Sequence, residues 1–176
     1  IIGSSDTHTR LNITGSTVTQ GDIYITLPSS TINLSMTDNN FQQLSTIIMA
    51  EDGSLDLRSN NFNKFVIRFD LQVYESSSTT RSILQNTFGV LNYIDRTYAT
   101  TVIRDNIFQA VNSKEESLFI FSSKSAASKS YIQNNQFQNS VVHSACALSA
   151  YCDTEVYMTN NTFYNISSAT LIELQG

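Results

Sequence analysis

Leu55-Asp56-Leu57-Arg58-Ser59-Asn60-Asn61-Phe62 is the stretch on which the fold turns. Leu55 and Leu57 alternate with Asp56 and Arg58, the period-two pattern of a strand with one buried face. Phe62 points to the same interior only if the backbone bends near Asn60. The frame recurs outward from this stretch as the pairs Asn39/Phe41, Asn60/Phe62, Asn86/Phe88, Asn106/Phe108, Asn135/Phe137 and Asn161/Phe163. Successive Phe residues stand 21, 26, 20, 29 and 26 positions apart, the length of one supersecondary unit, so the chain reads as a solenoid.

An apolar residue precedes each Asn by three positions: Met36, Leu57, Ile83, Ile103, Ile132 and Met158. Leu44, Phe65, Leu91, Val111 and Ile166 follow the Phe by three, with Ser140 the exception. Asn suits the corner because it tolerates the left-handed backbone region. Its amide is also expected to bond the Asn one coil above, as in stacked cross-β ladders. Two architectures use such a frame. A leucine-rich repeat wants a Leu eight residues before the Asn, where this chain has Thr31, Asp52, Ser78, Tyr98, Ala127 and Asp153. The return segments, such as Phe69-Asp70-Leu71-Gln72-Val73 and Leu118-Phe119-Ile120-Phe121, read as strands rather than helices. The expected fold is therefore all-β, a parallel β-helix solenoid of about six to seven coils, with a leucine-rich-repeat solenoid as the alternative. Residues 1–30, containing Ile23-Tyr24-Ile25-Thr26-Leu27, are expected to form a divergent first coil or cap, and residues 31–176 the repeats.

The run Asn160-Asn161-Thr162-Phe163-Tyr164-Asn165-Ile166, continuing to Leu174, resembles right-handed β-helix repeats of the pectate-lyase-like superfamily. It is most similar to the surface-protein branch, which includes polymorphic outer-membrane proteins and large β-helical proteins of protists. The resemblance spans roughly residues 31–176 and lacks the Gly-Gly-Ala signature of the outer-membrane repeats. It implies a β-helix and a surface role. Many members of the superfamily are polysaccharide lyases or hydrolases, whereas the Asn/Phe-rich branch is mostly non-catalytic.

Composition agrees with an extracellular solenoid. The chain has 40% hydrophobic and 14% charged residues and a net charge of -5, which excludes a basic nucleic-acid footprint. No apolar run approaches the ~20 residues of a membrane-spanning helix. Ile1 is not an initiator Met, and a segment of a longer or processed chain is expected. Four sequons, headed by Asn12, Asn33, Asn160 and Asn165, mark expected N-glycan sites. Ser76–Thr80 and Ser122–Ser125 read as solvated loops, with O-linked sugars the other reading. Cys146 and Cys152 are the only cysteines, and a local disulfide is expected in an oxidising compartment.

Catalytic constellations are sparse. Asp38 and Asp105 occupy one register just before the repeat Asn, with Arg58 and Arg104 close by in sequence; a solvated polar corner explains them as well as a lyase site does. His8 and His143 suggest no pair. No cofactor and no metal are expected. The reading is a non-enzymatic extracellular structural or adhesive β-helix of a cell-surface or fibrillar glycoprotein. Self-association, neighbouring β-helix segments and covalent N-glycans are its expected partners. The alternative is a carbohydrate-active or polysaccharide-binding β-helix with a groove lined by Tyr24, Tyr74, Tyr93, Tyr98 and Tyr157.

Overall fold

Alternating apolar and polar residues make each strand two-faced, and stacking those strands in register builds one continuous interior. A computed structural model describes residues 9–27, 32–50, 53–70, 79–95, 99–109, 118–123, 129–141, 146–152, 155–168 and 170–175. The first rung is β1 (Thr9–Thr14), β2 (Thr17–Val18) and β3 (Ile23–Leu27). The second joins β4 (Ile32–Thr37) to β5 (Asn40–Ala50), and the third joins β6 (Ser54–Arg58) to β7 (Asn61–Asp70). The fourth is β8 (Thr80–Leu84) with β9 (Thr87–Asp95), and the fifth is β10 (Thr100–Arg104), β11 (Ile107–Phe108) and β12 (Phe119–Ser123). The sixth is β13 (Lys129–Gln133), β14 (Gln136–Val141) and β15 (Cys146–Cys152), followed by β16 (Glu155–Thr159), β17 (Thr162–Ser167) and β18 (Thr170–Gln175).

The leading strands stack as a seven-stranded sheet in the order β1-β4-β6-β8-β10-β13-β16, and the others form an eleven-stranded sheet. In the middle rungs β5, β7 and β9 run unbroken through a stretch that the other rungs divide in two. Pairing between rungs is parallel throughout the described residues, none of which is helical. The chain is thus an all-β parallel solenoid, and the leucine-rich alternative is set aside because strands fill its return half. At ~4.8 Å per rung, the leading sheet spans about 29 Å.

Register turns the repeat frame into interior columns. Ile13, Met36, Leu57, Ile83, Ile103, Ile132 and Met158 lie opposite one another in sequence along the leading sheet. Val18, Phe41, Phe62, Phe88, Phe108, Phe137 and Phe163 do the same in the other. Neighbouring Phe rings from Phe62 onward are near-parallel, with centroids 5.5 Å apart at Phe62–Phe88 and 4.6 Å at Phe108–Phe137. Each such pair adds roughly 0.5–1.5 kcal/mol beyond its buried area. Residues 9–27 therefore join the columns as a rung with Ile13 and Val18 in the aliphatic and Phe places.

Two local expectations need correction. The residue three after Phe41, Leu44, does not join Phe65 and Leu91: the register shifts between Phe41 and Leu44, and Ser45 pairs with Phe65 instead. The left-handed turn is also not on the repeat Asn. Asp38, Ser59, Gln85, Asp105, Asn134 and Asn160, each one residue earlier, have φ between 54° and 60°, and Gly15 has φ 60° at the corresponding corner of the first rung. Asp, Asn and Gly tolerate that region best, which explains most of the column.

Gly89 sits where no side chain fits. A Cβ there would lie 2.2 Å from the Asn63 carbonyl oxygen of the rung beneath, a backbone atom held by its own strand. Gly89→Ala is expected to lower stability by about 3 kcal/mol, in the range of overpacking penalties, read as a lower urea midpoint with an unchanged slope.

Candidate functional site

The corner is where this backbone has a problem to solve. A peptide turning from one sheet to the other leaves an N–H that neither sheet can pair, and a buried unpaired donor costs about 1–3 kcal/mol. The repeat Asn removes that cost by reaching between rungs. Oδ1 of Asn60 accepts from both the backbone N–H (3.0 Å) and the Nδ2–H (2.9 Å) of Asn39. Asn86 does the same for Asn60, Asn106 for Asn86, Asn135 for Asn106 and Asn161 for Asn135. Each Nδ2 also donates backward to the carbonyl of the aliphatic column one rung earlier, as from Asn60 to Met36 (2.9 Å) and from Asn106 to Ile83 (2.9 Å). In the first rung Ser16 takes the corner and donates its N–H to Asn39 Oδ1 at 2.9 Å. Asn39, Asn60, Asn86, Asn106 and Asn135 are buried and Asn161 is half-buried. All twelve Asn and Phe positions named from the sequence thus meet in two adjoining columns.

The sequon residues lie on the outside. Asn12 and Asn33 are exposed on the outer face of the leading sheet, in β1 and β4. Asn160 occupies an exposed left-handed corner (φ 54°), and Asn165 an exposed left-handed position within β17 (φ 51°) where its Nδ2 donates to Asn139 Oδ1 at 3.0 Å.

Cys146 and Cys152 do not stand as the disulfide expectation requires. They are the two ends of the single strand β15, six residues apart in extended backbone, or roughly 20 Å between Cα atoms at ~3.3 Å per residue. A disulfide needs Cα atoms within about 7 Å, so the strand itself separates them.

The tyrosine groove does not assemble. Tyr93 is fully buried in the interior column, Tyr24 lies exposed on β3 and Tyr157 exposed on the leading sheet; Tyr74 and Tyr98 fall outside the described residues. Ser76–Ser78, Lys124, Ser125, His8 and His143 also fall outside them. Asp38 and Asp105 share a face but stand three rungs apart, about 14 Å along the stack, with Ser59 and Gln85 between them. Of the two arginines considered beside them, Arg104 pairs with Asp105 at 3.1 Å, whereas Arg58 pairs with Asp56 at 2.9 Å, and all four side chains are exposed. Such pairs contribute little. Among the described residues no three His, Cys, Asp or Glu side chains cluster.

One open groove does form. Asn40, Gln42, Asn61, Asn63, Thr87, Gly89 and Gln109 are among the residues that line it. Amides here bond across rungs, Asn61 Nδ2 to Asn40 Oδ1 at 3.3 Å and Asn63 Nδ2 to the Gln42 carbonyl at 3.2 Å.

A buried polar cluster escaped the sequence reading. Arg81 stands in an inward column between Leu55 and Thr101 and is completely buried. Its guanidinium pairs with the buried Asp95 carboxylate, donates to the Gly53 carbonyl at 3.3 Å, and lies 3.5 Å from the Phe69 ring centroid. Tyr93 donates to Asp95 Oδ2 (3.1 Å) and shares a hydrogen bond with Thr101 Oγ1 (2.9 Å). Burial first, and the Asp95 charge second, raise the Tyr93 phenol well above its ordinary value. The cluster ties three rungs together from inside, and no solvent reaches it.

No protein-family model, curated protein or solved structure matches the chain.

Three outcomes follow from this geometry. Asn106→Ala should cost at least about 3 kcal/mol, because it strips the acceptor from two Asn86 donors and the donor from the Ile83 carbonyl. Asp95→Ala should cost about 3–5 kcal/mol by leaving the Arg81 charge buried, and adding Arg81→Leu, which continues the Leu34–Leu55 column, should recover much of it. Both are measured by urea unfolding. A phenol whose folded pKa is raised contributes stability that is whole below its unfolded value of about 10 and is lost as pH rises beyond it. Alkaline unfolding should therefore set in above about pH 10, and Tyr93→Phe should move its midpoint upward.

Proposed function

We propose that this chain is a non-enzymatic structural or adhesive β-solenoid of an extracellular, cell-surface or fibrillar glycoprotein, right-handed and allied to the surface-protein branch of the pectate-lyase-like superfamily. The observation that carries the reading is the division of labour across each rung. Chemistry-bearing side chains point inward to hold the stack, as in the Asn column and the Arg81 cluster, while the outer faces carry hydroxyls and amides in register. Solvent exposure of Asn12, Asn33, Asn160 and Asn165 adds support, since a glycan can be carried only by a residue at the surface. Self-association and contact with neighbouring β-helix segments fit a stack whose pairing surface is the sheet edge itself.

A second reading, a polysaccharide-binding face, is favoured by the groove around Gly89. Its Asn and Gln amides both donate and accept, which suits sugar hydroxyls.

The test is to secrete the chain from a eukaryotic host, digest it with an N-glycan-removing amidase, and incubate the folded protein with a panel of acidic polysaccharides. The expected result is a fall in mass that is lost stepwise with Asn12→Gln, Asn33→Gln, Asn160→Gln and Asn165→Gln, and no unsaturated sugar products. Release of such products would overturn the structural reading; saturable binding without cleavage, lost in Asn61→Ala, would favour the second.

A further inference from the structure

The outer face of the leading sheet carries one column that changes character along its length. Asn12, Ser35, Asp56, Ser82 and Val102 lead in register to Tyr131 and Tyr157. These two rings lie on adjacent rungs with centroids 5.2 Å apart and planes within 12°, an offset stack held by backbone pairing on both sides. Tyr157 is 43% exposed and Tyr131 half-buried, so the pair is open to solvent along its edge. The Tyr157 hydroxyl donates to Glu155 Oε2 at 2.9 Å, and Lys129 Nζ holds the same carboxylate oxygen at 3.6 Å.

We propose that Tyr131 and Tyr157 are a built-in oxidative cross-linking site, coupled to dityrosine by hydrogen peroxide and a haem peroxidase. The inference is independent of the surface role proposed above. Each phenol loses one electron and its hydroxyl proton, and together they reduce one peroxide to two waters. The resulting ring radicals join through a carbon ortho to each oxygen, and the two ortho hydrogens move to the oxygens, restoring both phenols. Stacking supplies the proximity, because one rung of parallel pairing already brings the rings into contact. Glu155 is a positioning residue that receives the Tyr157 proton as the electron leaves. Its hydrogen bond, which also raises the phenol's proton affinity, keeps that proton on the oxygen until oxidation. The product ties residues 131 and 157 together across two rungs and restricts the unfolded chain as a disulfide would.

Tyr24 and Tyr164, 51% and 68% exposed, serve as internal controls, since neither stacks on another described tyrosine. The experiment treats the whole chain at low micromolar concentration with horseradish peroxidase and limiting peroxide. It follows dityrosine fluorescence, separates monomer from dimer by denaturing electrophoresis, and maps the joined peptides by mass spectrometry. The expected result is dityrosine in the monomer band linking Tyr131 to Tyr157. Tyr131→Phe and Tyr157→Phe, which keep the ring stack and the fold, should each remove it, while Glu155→Gln should slow its formation on the order of 10-fold. Dityrosine confined to dimers through Tyr24 or Tyr164, or monomer coupling undiminished in Tyr131→Phe, would overturn the proposal.

Discussion

The carboxamide of the corner Asn is the constraint from which the rest of this solenoid follows. A rung must turn without leaving its turning amide unpaired, and here the acceptor comes from the rung after it rather than from the same segment. Each corner is therefore completed only when its neighbour is in place and in register. That requirement places the residue two positions on, Phe, and the residue three positions back, an aliphatic, opposite their counterparts as well. Register is usually defended by the hydrophobic pattern alone, and a one-residue slip would invert every strand. In this chain a slip would also break a buried amide column, so two independent penalties guard the same alignment.

Much of this was legible in single copies of the repeat. The Asn, the Phe and the preceding aliphatic residue recur at fixed offsets, and the solenoid, its strands and the Asn-to-Asn bonding all follow from them. What escaped was relational. The left-handed residue is the one before the Asn, and Ser59 and Gln85 at that position hide a column otherwise made of Asp, Asn and Gly. Gly15-Ser16-Thr17-Val18 is a corner of the same kind written with other residues, and only its pairing with Asn39, Asn40 and Phe41 reveals it. Arg81 sits in Thr80-Arg81-Ser82-Ile83, where a charged residue reads as outward until alignment with Leu55 sets it inside. Its partner Asp95 is fourteen residues away on the other sheet, beyond the reach of any local pattern. The cysteines misled for the opposite reason: their short spacing suggested a clamp, but the residues between them stay extended.

The interior is not uniformly apolar, and the exception is placed with care. Arg81, Asp95, Tyr93 and Thr101 satisfy one another where the aliphatic columns of neighbouring rungs would otherwise simply continue. A buried ion pair adds little to stability compared with a well-packed apolar substitute, but it penalises every arrangement in which its members separate. Repetitive stacks have many near-equivalent registers, and one unique polar contact marks which rung is which. The Phe69 ring against the guanidinium face and the Gly53 carbonyl on its edge extend that mark to the preceding rung.

Direction is the remaining consequence of the Asn column. Every Nδ2–H to Oδ1 bond in it points the same way, from the earlier rung to the later. Successive peptide groups of a strand point alternately to the rung above and the rung below, so their dipoles largely cancel along the stack, and these do not. Aligned amides polarise one another, so the column is an electrically oriented wire buried along the stack, with its Oδ1 atoms facing the early rungs and the N–H groups that bond them facing the late ones. Its two faces are therefore as distinct as the poles of a magnet, and a rung offered to the wrong pole meets like against like.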